Sequence, residues 1–294
     1  MKIPHNLTDL VLLIRKDLLN KSQPHTSKDF SKLMFWIITS GQNEYQALKD
    51  NLKIIKSELS KLKKAPHKLS PLEYLIWKHR LDLQQEYPLP SRLLNFKDWF
   101  IKHGIFEHNL IELLDKSEID AFRLHAKIRN IQWSAQQSHK ATPINPVKLN
   151  LKIPFGVNII GYFRGQLGIG EDARQASEAL LNAGIPVTLI DFSSRRDVND
   201  DEAITTLHTS REAKYYFNIF CLTAEEHLRY FLENGSAQLT GRYNIGYWPW
   251  ELDKWPQQWD QILPLVDEVW ASTNHTLKSL TGSSGVSQQA IPTR

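Results

Sequence analysis

GVNIIGYFRGQLGIGEDARQASEALLNAGIPVTLID, residues 156–191, decides the fold of this chain. The apolar run Val157 to Tyr162 predicts a strand, and Glu171 to Ala183 predicts a helix that ends before Gly184. A second apolar run, Pro186 to Asp191, predicts another strand. A strand, a crossover helix and a second strand of this length pair their strands in parallel. The stretch therefore predicts an α/β fold.

The same alternation continues towards the C-terminus. Thr223 and Glu226 form a capping box at the start of a predicted helix that runs to Asn234. The other predicted elements are strands over Tyr215 to Leu222, Tyr243 to Trp248 and Glu268 to Ser272, and a helix over Trp259 to Val266. Strands that alternate with helices form a parallel sheet with helices on both faces. We therefore predict an α/β domain over residues 155–294.

Residues 1–134 are predicted to form an all-α helical domain. Apolar residues recur there at helical spacing, and the stripe from Leu48 to Leu62 predicts one helix with Lys53 to Lys64 on its solvated face. Ser70 followed by Pro71 predicts the start of the next helix. Residues 135–154 are rich in polar residues and include Pro143 and Pro146, so they are predicted to be a linker.

A weak internal repeat occurs within the helical region. Trp36, Gly41 and Glu44 recur at an offset of 63 residues as Trp99, Gly104 and Glu107. Two copies of a helical hairpin explain the pattern, with the glycines ending helices. Chance similarity in a leucine-rich region is the alternative.

Charge separates the two domains. Residues 1–150 contain 24 Lys and Arg against 15 Asp and Glu, a net charge of +9, whereas residues 151–294 have 12 against 17, a net charge of −5. Cys221 is the only cysteine, so no disulfide forms within the chain. No window approaches the roughly 18 apolar residues of a membrane span. We expect a cytoplasmic protein, with peripheral contact at the inner face of the membrane through the basic helical domain, and no nucleic-acid partner.

The first candidate site is the glycine loop, which we define as residues 164–171, RGQLGIGE. Gly165, Gly168 and Gly170 let a ligand approach the backbone, and the helix that follows offers free N–H groups to a phosphate or nucleoside diphosphate. A flexible strand-to-helix turn is the alternative. The same loop contains Gly168-x-Gly170-x-x-Ala173, a dinucleotide fingerprint, and Asp191 lies where a ribose-binding acid is expected. That reading predicts a NAD-dependent oxidoreductase, although Phe163 to Leu167 separate the fingerprint from its strand.

The second candidate site is the aromatic loop, residues 247–256, YWPWELDKWP. Tryptophan faces stack on sugar rings, and a carboxylate beside them holds hydroxyl groups or acts as a base. We expect Trp248, Trp250 and Asp253 to bind an acceptor. We expect indole rings to desolvate Glu251, to raise its pKa and to make it the catalytic base. The alternative is that the tryptophans cap the core while both carboxylates are solvated.

These segments together resemble the group 1, retaining glycosyltransferases of the GT-B fold, in the bacterial branch that builds surface polysaccharides. The matching stretches are residues 156–191, residues 217–222 and residues 243–272, YNIGYWPWELDKWPQQWDQILPLVDEVWAS. The helical region, with LIWKHRLDLQQEYPLP, resembles the N-terminal extension of some members. The resemblance implies a Rossmann-like sheet that forms the N-terminal, acceptor-side half of a GT-B fold.

The resemblance also implies a function. Gly165, Gly168 and Gly170 match the loop that faces the donor diphosphate, and Trp248, Trp250 and Glu251 match the acceptor side of the cleft. The expected reaction transfers a hexose from a nucleoside-diphosphate sugar, the co-substrate, to a glycan or lipid-linked acceptor, without a metal or another cofactor. No donor-binding domain follows before Arg294, so this chain alone is expected to be nearly inactive. A non-catalytic carbohydrate-binding or scaffold protein remains a further alternative.

Overall fold

The computed structural model describes residues 7–18, 27–62, 65–131, 153–192, 208–280 and 287–290. The chain divides into two compact units, one comprising Met1–Ile14 with Lys148–Arg294 and the other comprising Arg15–Val147. Helix α1 (Leu7–Ile14) belongs to the first unit, whereas the predicted helical domain over residues 1–134 included it. The predicted linker falls, up to residue 152, outside the described residues.

The unit Arg15–Val147 contains helices and no strands in its described part, as expected for an all-α domain. Its α-helices are α2 (Ser27–Trp36), α3 (Gln42–Glu44), α4 (Gln46–Asp50), α5 (Leu52–Leu59), α6 (Pro71–His79), α7 (Leu81–Glu86), α8 (Leu93–Trp99), α9 (Ile105–Glu107) and α10 (Lys116–Ile128). Three 3₁₀ helices (Lys16–Leu18, Pro66–Lys68 and Leu110–Leu113) and two π-helical turns (Ile37–Gly41 and Phe100–Gly104) join them. Among the helices that the structure describes, none has the length and apolarity to cross a bilayer.

Local backbone chemistry confirms one predicted helix start and corrects one predicted helix. Ser70 and Glu73 form a reciprocal capping box at the start of α6, with bonds of 3.1 and 2.7 Å. The helix predicted from Leu48 to Leu62 is instead broken at Asn51, whose φ and ψ are −121° and 40°. The Asn51 side chain donates a 2.8 Å hydrogen bond to the carbonyl oxygen of Ala47. This bond competes with helix continuation, because asparagine readily bonds to nearby backbone.

The internal repeat has the same local structure in both copies. In each copy a helix ending at tryptophan continues into a five-residue π-helical turn ending at glycine, and a three-residue helix follows. Gly41 and Gly104 were expected to end helices. Instead they keep helical backbone angles, with φ values of −60° and −58°, and a short helix follows each of them. They make room for the preceding indole ring: an added Cβ would lie 2.8 Å from Trp36 and 2.9 Å from Trp99.

The second unit is built on a six-stranded, all-parallel sheet, which confirms the predicted α/β class. Its strand order is β2-β1-β3-β4-β5-β6. The strands are β1 (Val157–Gly161), β2 (Val187–Asp191), β3 (Phe217–Cys221), β4 (Tyr243–Tyr247), β5 (Glu268–Ala271) and β6 (Ser287–Ala290). Helices α11 (Gly168–Asn182), α12 (Ala224–Asn234) and α13 (Asn274–Leu280) connect them, and the helix predicted over Trp259 to Val266 is a 3₁₀ helix at Gln257–Leu265.

The direction of the crossovers assigns the helices to two faces. The chain moves from β1 outwards to β2 through α11, and from β3 in the opposite direction through α12. Parallel crossovers are right-handed, so α11 covers one face and α12 the other. On the α11 face, Ile159, Ile219 and Ile245 form a buried apolar core with Ala173. Helix α1 packs against α12 and the 3₁₀ helix Gln257–Leu265.

A row of buried asparagines crosses the α12 face. Asn158, Asn218 and Asn244 occupy matching positions on β1, β3 and β4, and each is at most 1% exposed. Asn158 donates to Asn218, and Asn218 donates to Asn244, both over 2.8 Å. The end of the row is bonded to the backbone, because the backbone amides of Lys214 and Tyr215 donate hydrogen bonds to Oδ1 of Asn158. A one-residue slip would break every side-chain bond in the row, so it fixes the register.

Candidate functional site

The candidate site lies at the carboxyl edge of the sheet, beside β1 and β3. The chain leaves β1 for β2 on one side and returns to β3 on the other, which opens a crevice between the loops after β1 and β3. Ligands of open α/β sheets bind at such a switch point. The glycine loop follows β1, and the aromatic loop follows β4 at the same edge.

Packing explains one of the three predicted glycines. An added Cβ at Gly170 would clash with the carbonyl oxygen of Tyr162 and lie 3.0 Å from that of Gly165. A similar limit applies at Gly161 on β1, where an added Cβ would lie 2.7 Å from the Cβ of Ala173. Gly161 and Gly170 therefore let α11 approach the end of β1 closely, and Gly170 is required whether or not a ligand binds.

Gly168 has no such packing role. It is the first residue of α11, it is exposed, and an added Cβ would meet no atom within 4 Å. No side chain caps this helix, and the amides of Gly168 and Ile169 find no acceptor among the described residues. Unpaired N–H groups at a helix N-terminus attract anions. Gly168 therefore leaves open space where an anion would approach, whereas Gly165 is buried within the loop.

Polar contacts hold the glycine loop in place. Arg174 donates from Nη1 to the carbonyl oxygens of Phe163 and Gly165, at 3.2 and 3.4 Å, and pairs with Glu171 at 2.9 Å. Asp191 accepts a 3.3 Å hydrogen bond from the backbone amide of Arg164. Asp191, predicted as a ribose ligand under the oxidoreductase alternative, therefore braces this loop instead of pointing free into the crevice.

The structure places Trp248 in the core. Its side chain is 1% exposed and folds over Gly246, on the α12 face. Its Nε1 donates a 3.3 Å hydrogen bond to Nδ1 of His227, whose ring stacks on Phe220 at 3.7 Å. Trp248 was expected to stack on an acceptor sugar, but its ring faces are covered. Burial lowers the pKa of His227 to about 3, so this imidazole is neutral.

The other predicted residues of the aromatic loop separate into a packed tryptophan and exposed carboxylates. Trp250 is half-buried, and its ring meets those of Trp255 and Trp259 edge to face at 5.7 and 4.9 Å. Glu251 and Asp253 are both exposed. The expected enclosure of Glu251 by indole rings is therefore absent. The loop backbone is fixed by α13, where Thr276 donates to the carbonyl oxygen of Trp250 over 3.2 Å.

Sequence reasoning missed Asp172, the fifth residue of α11. Burial, and secondly the charge of Glu171, raise the pKa of Asp172. After the effect of burial, the Asp172 charge in turn raises the pKa of Cys221 and of Tyr247, at the ends of β3 and β4. The carboxylate therefore lies over the carboxyl edge on the α11 face. Its position directly after the glycine loop is the signal that could have identified it.

Sequence reasoning also missed a cavity of about 350 Å³ on the α12 side of the same edge. Tyr162, Glu226, Arg229 and Trp259 line it. The Tyr162 hydroxyl donates a 2.6 Å hydrogen bond to Oε1 of Glu226. Burial, and secondly this hydrogen bond, raise the pKa of Tyr162, so its hydroxyl stays protonated. The four residues come from three separate segments, the end of β1, α12 and the 3₁₀ helix Gln257–Leu265, which explains why no sequence motif showed them.

Within the described ranges, no group of three or more His, Cys, Asp or Glu side chains is arranged to hold a metal ion. No protein-family model, no curated protein and no solved structure matches the chain.

Proposed function

We propose that this chain is the acceptor-side part of a glycosyltransferase that transfers a hexose from a nucleoside-diphosphate sugar to a glycan or lipid-linked acceptor. The observation that carries the proposal is the open space at Gly168. A glycine with no packing role begins an uncapped helix at the switch point of a parallel sheet. A diphosphate has the charge and the size for this position.

The strand order supports the Rossmann-like part of the proposal. Thr209 forms an isolated bridge to Leu189 on the side of β2 that faces away from β1. If Thr209 is counted as a third strand, the strands numbered in chain order lie in the order 3-2-1-4-5-6, followed by one further strand. This order is common in nucleotide-binding domains. We therefore propose that the sheet is the N-terminal half of a GT-B fold.

Asp172 fits the role of acid or base better than Glu251 does. A group that accepts a proton from a sugar hydroxyl near neutral pH benefits from a raised pKa. Both side chains are exposed, but Asp172 has that raised pKa and its charge acts on Cys221 and Tyr247 at the sheet edge. We therefore assign the proton transfer to Asp172 within the proposed reaction.

The test uses the full product of the reading frame that encodes this sequence. Release of nucleoside diphosphate is measured from UDP-glucose, UDP-galactose, GDP-mannose and dTDP-rhamnose, with surface-glycan extracts as acceptors. Gly168→Ala places a methyl group where the diphosphate would approach, and small displacements of a reacting group cost up to about 100-fold in rate. We expect turnover to fall at least about tenfold, with a melting temperature that does not decrease.

Glu178→Ala is the matched control, since Glu178 is exposed on the same helix and distant from its start. Its turnover should equal that of the unmodified protein. The proposal fails if no donor releases nucleoside diphosphate, and the role of the loop fails if Gly168→Ala leaves turnover unchanged.

A further inference from the structure

The cavity on the α12 face has its own set of polar groups. Carboxylates are contributed by Glu225 and Glu226, a guanidinium by Arg229, and a hydroxyl by Thr223. Trp259 adds an aromatic surface. All these residues belong to the unit that contains the sheet. At about 350 Å³ the cavity is within the size range of small-molecule sites.

We propose that this cavity binds one ring of a neutral sugar, with hydroxyl groups bonded to Glu225 and Arg229 and an apolar face against Trp259. The proposal goes beyond glycosyl transfer, because sugar binding here needs neither a donor nor a reaction.

Charge argues against an anionic ligand. Two carboxylates and one guanidinium line the cavity, so a phosphate or sulfate would meet net repulsion. A carboxylate only accepts hydrogen bonds and a guanidinium only donates them. A sugar hydroxyl does both, and neighbouring hydroxyls on one ring can therefore satisfy Glu225 and Arg229 together.

Glu226 and Arg229 are held in place before any ligand binds. Oε2 of Glu226 accepts from the Thr223 amide and hydroxyl, both over 2.9 Å, while Oε1 accepts from Tyr162. Glu226 is thus occupied, whereas Glu225 forms no hydrogen bond or ion pair with another described residue. Arg229 lies over the ring of Phe192 at 4.3 Å. Groups already held in place lose little freedom when a ligand binds.

The aromatic wall is fixed as well. Trp259 meets Trp250 and Trp255 edge to face, at 4.9 and 5.2 Å, so its ring cannot swing away. Its side chain remains half-exposed, unlike that of Trp248. A fixed and accessible indole offers the apolar surface that the C–H face of a sugar ring requires.

The experiment is saturation-transfer difference NMR on the purified 294-residue chain. The probes are free glucose, galactose, mannose, N-acetylglucosamine and rhamnose, each measured alone and with added pyrophosphate. We expect signals from at least one sugar, and no displacement by pyrophosphate. Glu225→Gln and Arg229→Gln should each weaken that binding about tenfold, whereas Glu178→Gln, on α11, should not change it.

Melting temperatures check that each variant is folded, and Glu225→Gln is the mildest change since it keeps shape and removes only charge. Three results would overturn the proposal: no signal from any of the five sugars, sugar binding that is unchanged in both cavity variants, or displacement of the sugar by pyrophosphate. None of these depends on nucleotide-sugar turnover, so a failure here is separate from failure of the proposed transferase activity.

Discussion

Trp248 and His227 are joined inside the core by a 3.3 Å hydrogen bond from the indole Nε1 to the imidazole Nδ1. Since Nδ1 accepts, the neutral imidazole must carry its proton on Nε2. His227 has no exposed surface, and its ring stacks on Phe220. A tryptophan that the sequence suggests as a sugar platform is therefore part of the packing between α12 and β4.

This arrangement predicts a pH dependence of stability. Burial lowers the pKa of His227 from 6.5 to about 3 in the folded chain, so below pH 6.5 the unfolded chain binds the extra proton. The contribution of neutral His227 to the free energy of unfolding is therefore fully present above its unfolded pKa of 6.5, and it is lost as the pH falls below that value. His227 alone should cost about 1 kcal/mol between pH 6.5 and 5.5, because half of the unfolded chains already carry the extra proton at pH 6.5.

Urea denaturation of the unmodified chain and of His227→Gln, at both pH values, measures this contribution. The glutamine oxygen can still accept from Trp248, but it does not titrate. We expect the variant to lose about 1 kcal/mol less over this interval. Equal losses in the two proteins would show that His227 is protonated in the folded state.

The glycines of the α11 region should respond differently to one added methyl group. Gly161→Ala and Gly170→Ala force α11 away from β1, and overpacking of this kind costs about 1–3 kcal/mol. Gly168→Ala meets open space at a helical residue, so it should be neutral or stabilise by up to about 1 kcal/mol. Thermal unfolding of the three variants checks this, and a marked loss in Gly168→Ala would contradict the assigned open space.

Much of the fold could be predicted from sequence because its signals are local. Short apolar runs between helical segments predicted the strands. The Thr223–Glu226 capping box, which the structure confirms, predicted the start of α12. The Asn158–Asn218–Asn244 row could not be predicted, because each asparagine stands alone in its strand and its partner is 60 or 26 residues distant. Only the register of the sheet brings them together.

The asparagine row predicts a large effect from one substitution. Asn218→Ala removes the central member and leaves the buried Oδ1 of Asn244 without its donor, whereas Asn158 still donates to the carbonyl oxygens of Tyr215 and Phe217. One unsatisfied buried group costs about 1–3 kcal/mol and a lost hydrogen bond about 0.5–1.5 kcal/mol, so we expect a loss of about 2 kcal/mol of unfolding free energy. Asn95→Ala, at an exposed position of α8, is the control and should change stability by less than about 0.5 kcal/mol. If Asn218→Ala lowers the unfolding free energy by less than the contribution of one hydrogen bond, the row of bonded asparagines is contradicted.

The two helical repeats predict matched responses. Gly41→Ala and Gly104→Ala each push a methyl group against the tryptophan five residues earlier, at nearly equal distances of 2.8 and 2.9 Å. Each should lower the unfolding free energy by about 1–3 kcal/mol, measured by urea denaturation. If only one variant is destabilised, the two copies are not equivalent.

The candidate site was less predictable than the fold. Gly168 and its open helix end followed from a local motif, but the exposure of Glu251 and the burial of Trp248 depend on how the aromatic loop folds back. Four tryptophans within twelve residues, Trp248 to Trp259, pack largely on one another. Composition shows that such a cluster exists, but it does not show which ring remains accessible.

The assignment of the proton-transfer group is decided by comparing Asp172 with Glu251. Both variants, Asp172→Asn and Glu251→Gln, keep shape and remove a charge. Both carboxylates are exposed, but the charge of Asp172 acts on Cys221 and Tyr247 at the ends of β3 and β4, and its own pKa is raised. In the turnover assay with nucleotide sugars, we expect Asp172→Asn to reduce the rate about 100-fold, the lower range for loss of general acid–base help. Glu251→Gln should stay near the unmodified rate, and both should leave the melting temperature nearly unchanged. The reverse pattern would assign the role to Glu251 and would mean that the aromatic loop encloses it when the acceptor binds.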